Sequence, residues 1–275
     1  MKATLKSNYV LILFYIFYLM LIYCLFPSNF ITILMVHIIL IIIALTPLGE
    51  AIMRLLNHAN KIQTKEDKDY LYPIFNDVYE NALIQNPKLS KNIKLFINND
   101  KSANAFACAN NTICVTRGAI YTFSKEELQG IFAHELGHLS NNDTRISMIF
   151  FIGNMLFVIV AFIVNIFYSI IYKAIKNREG ETQFVTKILN IFKIIISNII
   201  SFIVCSIFAL NSRMCEYNAD LFASNIGYGL ELRDALNIFK SIDINSKMSI
   251  MERIYATHPN LDSRIAHLEK LEQVQ

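Results

Sequence analysis

Apolar residues along this chain fall into four long blocks separated by polar stretches. Tyr9 to Phe26 runs 18 residues without a charge, Phe30 to Leu48 gives 19, Ile146 to Tyr172 gives 27, and Ile188 to Leu210 gives 23 with Lys193 near its start. A helix needs about 20 apolar residues to cross a bilayer's hydrocarbon core, so the pattern predicts four transmembrane helices. They pair into two hairpins, the first turning at Pro27-Ser28-Asn29. Lys2 and Lys6 precede the first block as in a signal peptide, but the block is too long for one. Cys24-Leu25-Phe26-Pro27 also offers no small-residue cleavage site, so a retained span is expected.

The polar stretches carry shorter periodicities. Their spacing predicts a helix from Asp69 to Leu83, a strand from Ile93 to Ile97 and a second extended stretch from Thr112 to Val115. Ser124-Lys125-Glu126-Glu127 has the form of a capping box, which sets a helix start near Lys125. Leu128, Ile131, Phe132, Leu136 and Leu139 then recur at helical spacing, and the polar run from Ser140 to Asp143 ends or loosens that helix. Further helices are predicted at Met214 to Asn225, Leu230 to Ile242 and Asp262 to Leu271. The expected fold is mainly α with a small β element. Residues 1–48 form the first hairpin and 146–210 the second, while 49–145 and 211–275 fold together outside the bilayer.

Composition agrees with a membrane protein, since 54% of residues are hydrophobic and the mean hydropathy is +0.40. The net charge of +3 suits an anionic membrane surface weakly and gives no case for nucleic acid. Lys2 and Lys6, then Arg54, Lys61, Lys65 and Lys68 after the second span, favour a cytoplasmic polar domain. Lys173, Lys176, Arg178 and Lys187 fall on the opposite side of that topology; the early spans are given precedence because they usually dominate insertion. The five cysteines make neither a metal-ligand spacing nor a disulfide framework, as expected of a reducing compartment. His37 inside the second span reads equally as functional or as a neutral residue satisfied by a neighbouring helix.

The chemistry concentrates at His134-Glu135-Leu136-Gly137-His138. Residues four apart on a helix project from one face about 6 Å apart along the axis, so both imidazoles can reach one zinc ion. Glu135 points aside and is free to take a proton from water activated by the metal. A catalytic zinc needs a third protein ligand. Glu216-Tyr217-Asn218-Ala219-Asp220 supplies two acids four apart on another helix, so Glu216 can ligate while Asp220 accepts a hydrogen bond from the far nitrogen of a ligand histidine. Alone, such a pair usually marks a solvated helix face; beside the histidine motif it completes the site.

These residues resemble the HtpX-type membrane zinc endopeptidases, relatives of the prenyl-protein endopeptidases. Four blocks match in order: Asn104-Ala105-Phe106-Ala107, His134 to His138 followed by Asp143, Glu216 to Asp220, and Thr257-His258-Pro259-Asn260-Leu261-Asp262-Ser263-Arg264-Ile265. One departure is visible: the family usually has arginine before the glutamate ligand, where this chain has Cys215, with Arg213 two residues earlier. The resemblance implies a zincin-like catalytic domain assembled from the central segment and the tail, holding one Zn2+ per chain. It implies that Asn104, Ala105 and Phe106 line a strand edge to which an extended substrate adds. It also implies that His258 stabilises the oxyanion of peptide hydrolysis and that Arg264 orients the glutamate ligand or the substrate.

The expected function is therefore a multi-pass zinc endopeptidase of the inner membrane, acting in quality control of misfolded or damaged membrane proteins, with Glu135 as general base. Three other readings compete. An intramembrane site-2-type protease would carry the histidine motif inside a span, whereas charged Lys125 to Glu127 and polar Asn141 to Asp143 bracket it here. A non-catalytic adaptor retaining the zinc site has no need of Glu135, Glu216 and Asp220 together, and a transporter lacks paired broken helices.

Overall fold

The computed structural model describes residues 27–149, 212–243 and 260–273, with isolated positions 16, 19, 20 and 23. The third and fourth apolar blocks, nearly all of the first, and His258 lie outside the described residues.

A short 3-10 turn, Pro27–Asn29, leads into helix α1, Phe30–Ala44. Together Pro27–Ala44 is long and apolar enough to cross a membrane, the one such stretch among the described residues. The second span was expected to continue to Leu48, but α1 stops at Ala44. Pro47 lacks a backbone N–H and drives the residue before it out of the helical region, leaving Thr46 extended at φ −87°, ψ 167°. Thr46 then becomes the cap of a new helix, α2 (Pro47–Leu56), with proline at its first position, where it is tolerated best. Gly49 lies so close to Ala44 that an added Cβ would meet its carbonyl oxygen at 2.2 Å, so only glycine permits this tight corner.

Strand β1 (Asn60–Lys61) precedes helix α3 (Lys65–Gln85), which exceeds its expected range at both ends. The Thr64 hydroxyl accepts from the Asp67 amide, and Glu66 and Asp67 oppose the positive end of the helix dipole. Strands β2 (Lys94–Asn98), β3 (Ala105–Cys108) and β4 (Thr112–Thr116) complete a four-stranded sheet in the order β1-β2-β4-β3. β2 pairs parallel to β4 from Lys94 opposite Thr112 to Asn98 opposite Thr116, while β3 pairs antiparallel to β4, with Cys108 opposite Thr112. β3 is thus an edge strand.

Helix α4 (Arg117–Thr122) leads to α5 (Lys125–Ser140), whose capping box is complete: the Ser124 hydroxyl accepts from the Glu127 amide and the Glu127 carboxylate accepts from the Ser124 amide. Asn142, at φ 61°, ends that helix and starts α6, residues 143–149. The tail supplies α7 (residues 212–225), α8 (Gly229–Asp243) and α9 (Leu261–Glu272).

The core forms around α5, which packs on α3, α8 and the sheet. Leu128, Phe132 and Leu136 are wholly buried, each worth about 2 kcal/mol of transfer free energy. Polar ties reinforce the contact: Tyr228 donates to Asp77 at 2.8 Å and accepts from Asn81 at 2.9 Å, and Gln129 donates to Asp77 at 2.8 Å. Gly130 sets the spacing of α5 and α8, because a Cβ there would lie 2.2 Å from the Leu232 amide nitrogen. Gly130→Ala is expected to push the two helices apart and cost about 1–3 kcal/mol, read as a lower denaturant midpoint at unchanged slope.

Candidate active site

α5 carries the two histidines on one side, with their Nε2 atoms 3.2 Å apart and their rings edge to face. α7 brings Glu216 against them: Oε2 lies 3.3 Å from Nε2 of His134, and Oε1 lies 3.6 Å from Nε2 of His138. This approach requires glycine in the middle of the histidine motif, since a Cβ on Gly137 would sit 2.9 Å from the Ala219 Cα. Histidine spacing is therefore local helix geometry, whereas the position of Glu216 comes from close packing of two helices far apart in sequence.

The outward nitrogens are also engaged. His134 Nδ1 lies 2.9 Å from the Asp220 carboxylate, and His138 Nδ1 lies 3.0 Å from that of Asp143. An ionised carboxylate can only accept, so each imidazole donates outward, and a neutral ring then turns a lone pair inward from Nε2. With both rings neutral, two nitrogen lone pairs and a carboxylate face one another among buried side chains, balanced in part by the Arg264 guanidinium on Glu216, and a metal ion would complete the balance. Four ligands held about 2.0–2.2 Å from a tetrahedral zinc ion stand about 3.3–3.6 Å apart. The histidine nitrogens stand 3.2 Å apart and Glu216 presents a different oxygen to each; one ligand atom from each of the three residues lies within 4.8 Å of the other two, so His134, His138 and Glu216 could hold one metal ion.

The same carboxylates also favour protonated imidazoles, so a metal ion would displace protons on binding. Burial alone would pull His138 down, but the Asp143 and Glu216 carboxylates outweigh it and hold the imidazole at about 10. Burial and the Arg264 charge depress His134, yet Asp220 and Glu216 leave it above its ordinary value. Burial would raise Asp220, but Arg264 and His134 draw it below the usual carboxylate range. Arg264, from α9, clamps Asp220 through Nε at 2.9 Å and Nη2 at 2.6 Å, and its Nη1 reaches Glu216 Oε2 at 2.8 Å. One guanidinium thus fixes both acids of α7.

Glu135 stands apart from the three convergent groups and accepts the Ala107 amide of β3 at 2.6 Å. Asn104 receives the Thr116 amide on its carbonyl, so pairing alternates and Phe106 and Cys108 bond towards β4. Ala105 and Ala107 turn their backbone groups to the open edge, beside Glu135. Asn104 is exposed at the start of this strand. Cys108, Cys114 and Cys215 are buried; burial pushes the Cys108 thiol up to about 11 and that of Cys114 to about 12, which keeps both protonated.

Two partners went unassigned from sequence. Asp143 bears on His138 because the turn at Asn142 swings it back over the helix end; an acid five residues after the second histidine was the available signal. The Ala107 amide is a main-chain donor and leaves no mark in the sequence.

A helix-borne histidine pair, a glutamate from a second helix and a free carboxylate beside a strand edge define a metallopeptidase. The chain belongs to peptidase family M48, whose family model matches residues 66–272. It is 29% identical over 227 residues to a protease HtpX homolog of Caldanaerobacter subterraneus subsp. tengcongensis, covering 74% of each chain. It is 24% identical over 265 residues to one of Leuconostoc citreum, covering 86% of this chain and 84% of that one. The crystal structure of S. mikatae Ste24p matches the fold with a TM-score of 0.56 at 20% identity, over 97% of this chain and 65% of that longer one.

Asp143→Asn and Asp220→Asn each replace a charged acceptor behind a histidine by a neutral group. Each is expected to weaken metal binding about 10–100-fold, measured by competition against a chelator.

Proposed function

We propose that this chain is a membrane-bound zinc endopeptidase that cleaves peptide bonds in damaged or misassembled membrane proteins. The observation that carries the reading is the convergence of three metal-ligating side chains, one atom of each within 4.8 Å of the others, with Glu135 beside them at an open strand edge. His134, His138 and Glu216 would hold a zinc ion, which would supply Lewis acidity to a peptide carbonyl and lower the pKa of water there.

An extended substrate adds to β3 through the backbone groups of Ala105 and Ala107, with Asn104 and Phe106 completing the edge. A substrate carbonyl that takes the Ala107 amide releases Glu135 Oε2 from its present bond. That carboxylate then accepts a proton from the attacking water and delivers it to the leaving amine. Arg264 holds Glu216 and Asp220 in position throughout, and His258 donates to the developing oxyanion.

The apolar stretch Pro27–Ala44 supports a membrane location, and the lysines at 2, 6, 61, 65 and 68 support a catalytic domain on the cytoplasmic face of an inner membrane. Likeness to protease HtpX homologs supports proteolysis, and the quality-control role and membrane-protein substrates are what the HtpX-type resemblance of the sequence implies.

The test is metal content and cleavage of a membrane-protein substrate by purified wild type and Glu135→Gln in parallel. Glu135→Gln is expected to keep its zinc and lose about 10²–10⁴ in turnover; undiminished cleavage overturns the assignment. His258→Ala is expected to keep zinc and lose roughly 10²-fold in turnover, read as kcat at saturating substrate.

A further inference from the structure

Helix α2 faces the wrong way for a water-soluble surface. Its inward side carries Gly49, Glu50, Met53 and Arg54, and it is this side that is tied to the sheet. Glu50 Oε1 accepts from Thr112 of β4 at 2.9 Å and from Arg54 at 2.7 Å, and the Arg54 guanidinium lies over the Phe96 ring of β2, 5.2 Å from its centroid. Met53 packs with Ala44, Ala109 and Met148. The outward side carries Leu48, Ile52, Leu55 and Leu56, all exposed, Leu55 at 76%. A helix on an aqueous surface places such a stripe inward.

The apolar stripe continues an apolar surface already present on α1, where Ile31, Met35 and Ile39 are exposed. The link between the two helices, Leu45-Thr46, carries no charge, and the first charged side chain after the span is Glu50 on the sheet side of α2. A short helix with one apolar face, directly following a membrane-crossing helix, has the physical character of an interfacial segment.

We propose that α2 lies in the boundary between bilayer and water, with Leu48, Ile52, Leu55 and Leu56 in the lipid, and that it thereby holds the sheet at a set height above the membrane. The occupant of this face is a lipid bilayer, and the proposal rests on the reading that Pro27–Ala44 crosses one. Through Thr112, opposite Cys108 in the β3–β4 register, the interfacial helix is one strand away from the open edge beside Glu135. The edge is then presented at the membrane surface, where a segment drawn out of the bilayer arrives first.

The chain has no tryptophan, so a single introduced indole reports its own surroundings. Leu55→Trp, Leu48→Trp, Met35→Trp and Tyr121→Trp are made in the full chain and reconstituted in phosphatidylcholine vesicles whose acyl chains carry bromine either near the headgroup or deep. Met35 lies mid-span, 58% exposed; Tyr121 is 82% exposed on α4, beyond the end of β4 opposite Thr112. The expected result is strong quenching of Leu55→Trp and Leu48→Trp by shallow bromine, quenching of Met35→Trp greatest by deep bromine, and none for Tyr121→Trp. Emission from Leu55→Trp and Leu48→Trp as unaffected as from Tyr121→Trp, with Met35→Trp still quenched, overturns the inference alone; another segment or a second copy then covers the face. Loss of quenching at Met35 as well overturns the membrane reading beneath it.

Discussion

The structure depends on an electrostatic demand: two imidazoles and a carboxylate, each presenting lone pairs, are pressed into one buried volume. The Arg264 guanidinium against Glu216 offsets part of that demand, a metal ion would answer the rest, and every surrounding contact holds the three groups together. Gly137 lets α7 approach, Asp143 and Asp220 turn the imidazoles inward, and Arg264 pins both acids of α7 from α9. Packing energy spread over α5, α3 and α8 sustains the cost of this concentration, as expected where a strained site rests on a well-packed frame.

What could be read from sequence was what is local. The α5 start follows from four consecutive letters whose hydrogen bonds close within one turn, and the facing of His134 and His138 follows from helix pitch. The sheet was partly legible because β2 and β4 have apolar centres, Leu95 to Ile97 and Ile113 to Val115, while β1 was not, since two polar residues become a strand only by pairing with Phe96 and Ile97. The α1 boundary was misjudged because hydropathy runs on to Leu48; the stop is conformational, imposed by Pro47 on Thr46.

The open edge beside Glu135 has a second consequence for how the resting protein behaves. With Ala107 occupied by the carboxylate at 2.6 Å, one of the edge donors is already satisfied, which blunts the tendency of an unpaired strand to recruit another chain. On the proposed reading, a peptide adding to β3 would have to displace this internal partner, so it would gain less from docking than the raw count of edge hydrogen bonds suggests.

The three parts of the centre lie far apart in the order of synthesis: the histidines on α5, Glu216 on α7 beyond a long apolar stretch, and Arg264 on α9 near the C-terminal end. A ribosome-bound chain that has exposed α5 alone holds Glu135 and the two histidines but not Glu216 or Arg264. The cage closes only once α7 and α9 have both left the ribosome, so a shorter nascent chain holds the two histidines without the third carboxylate or the guanidinium that clamps it.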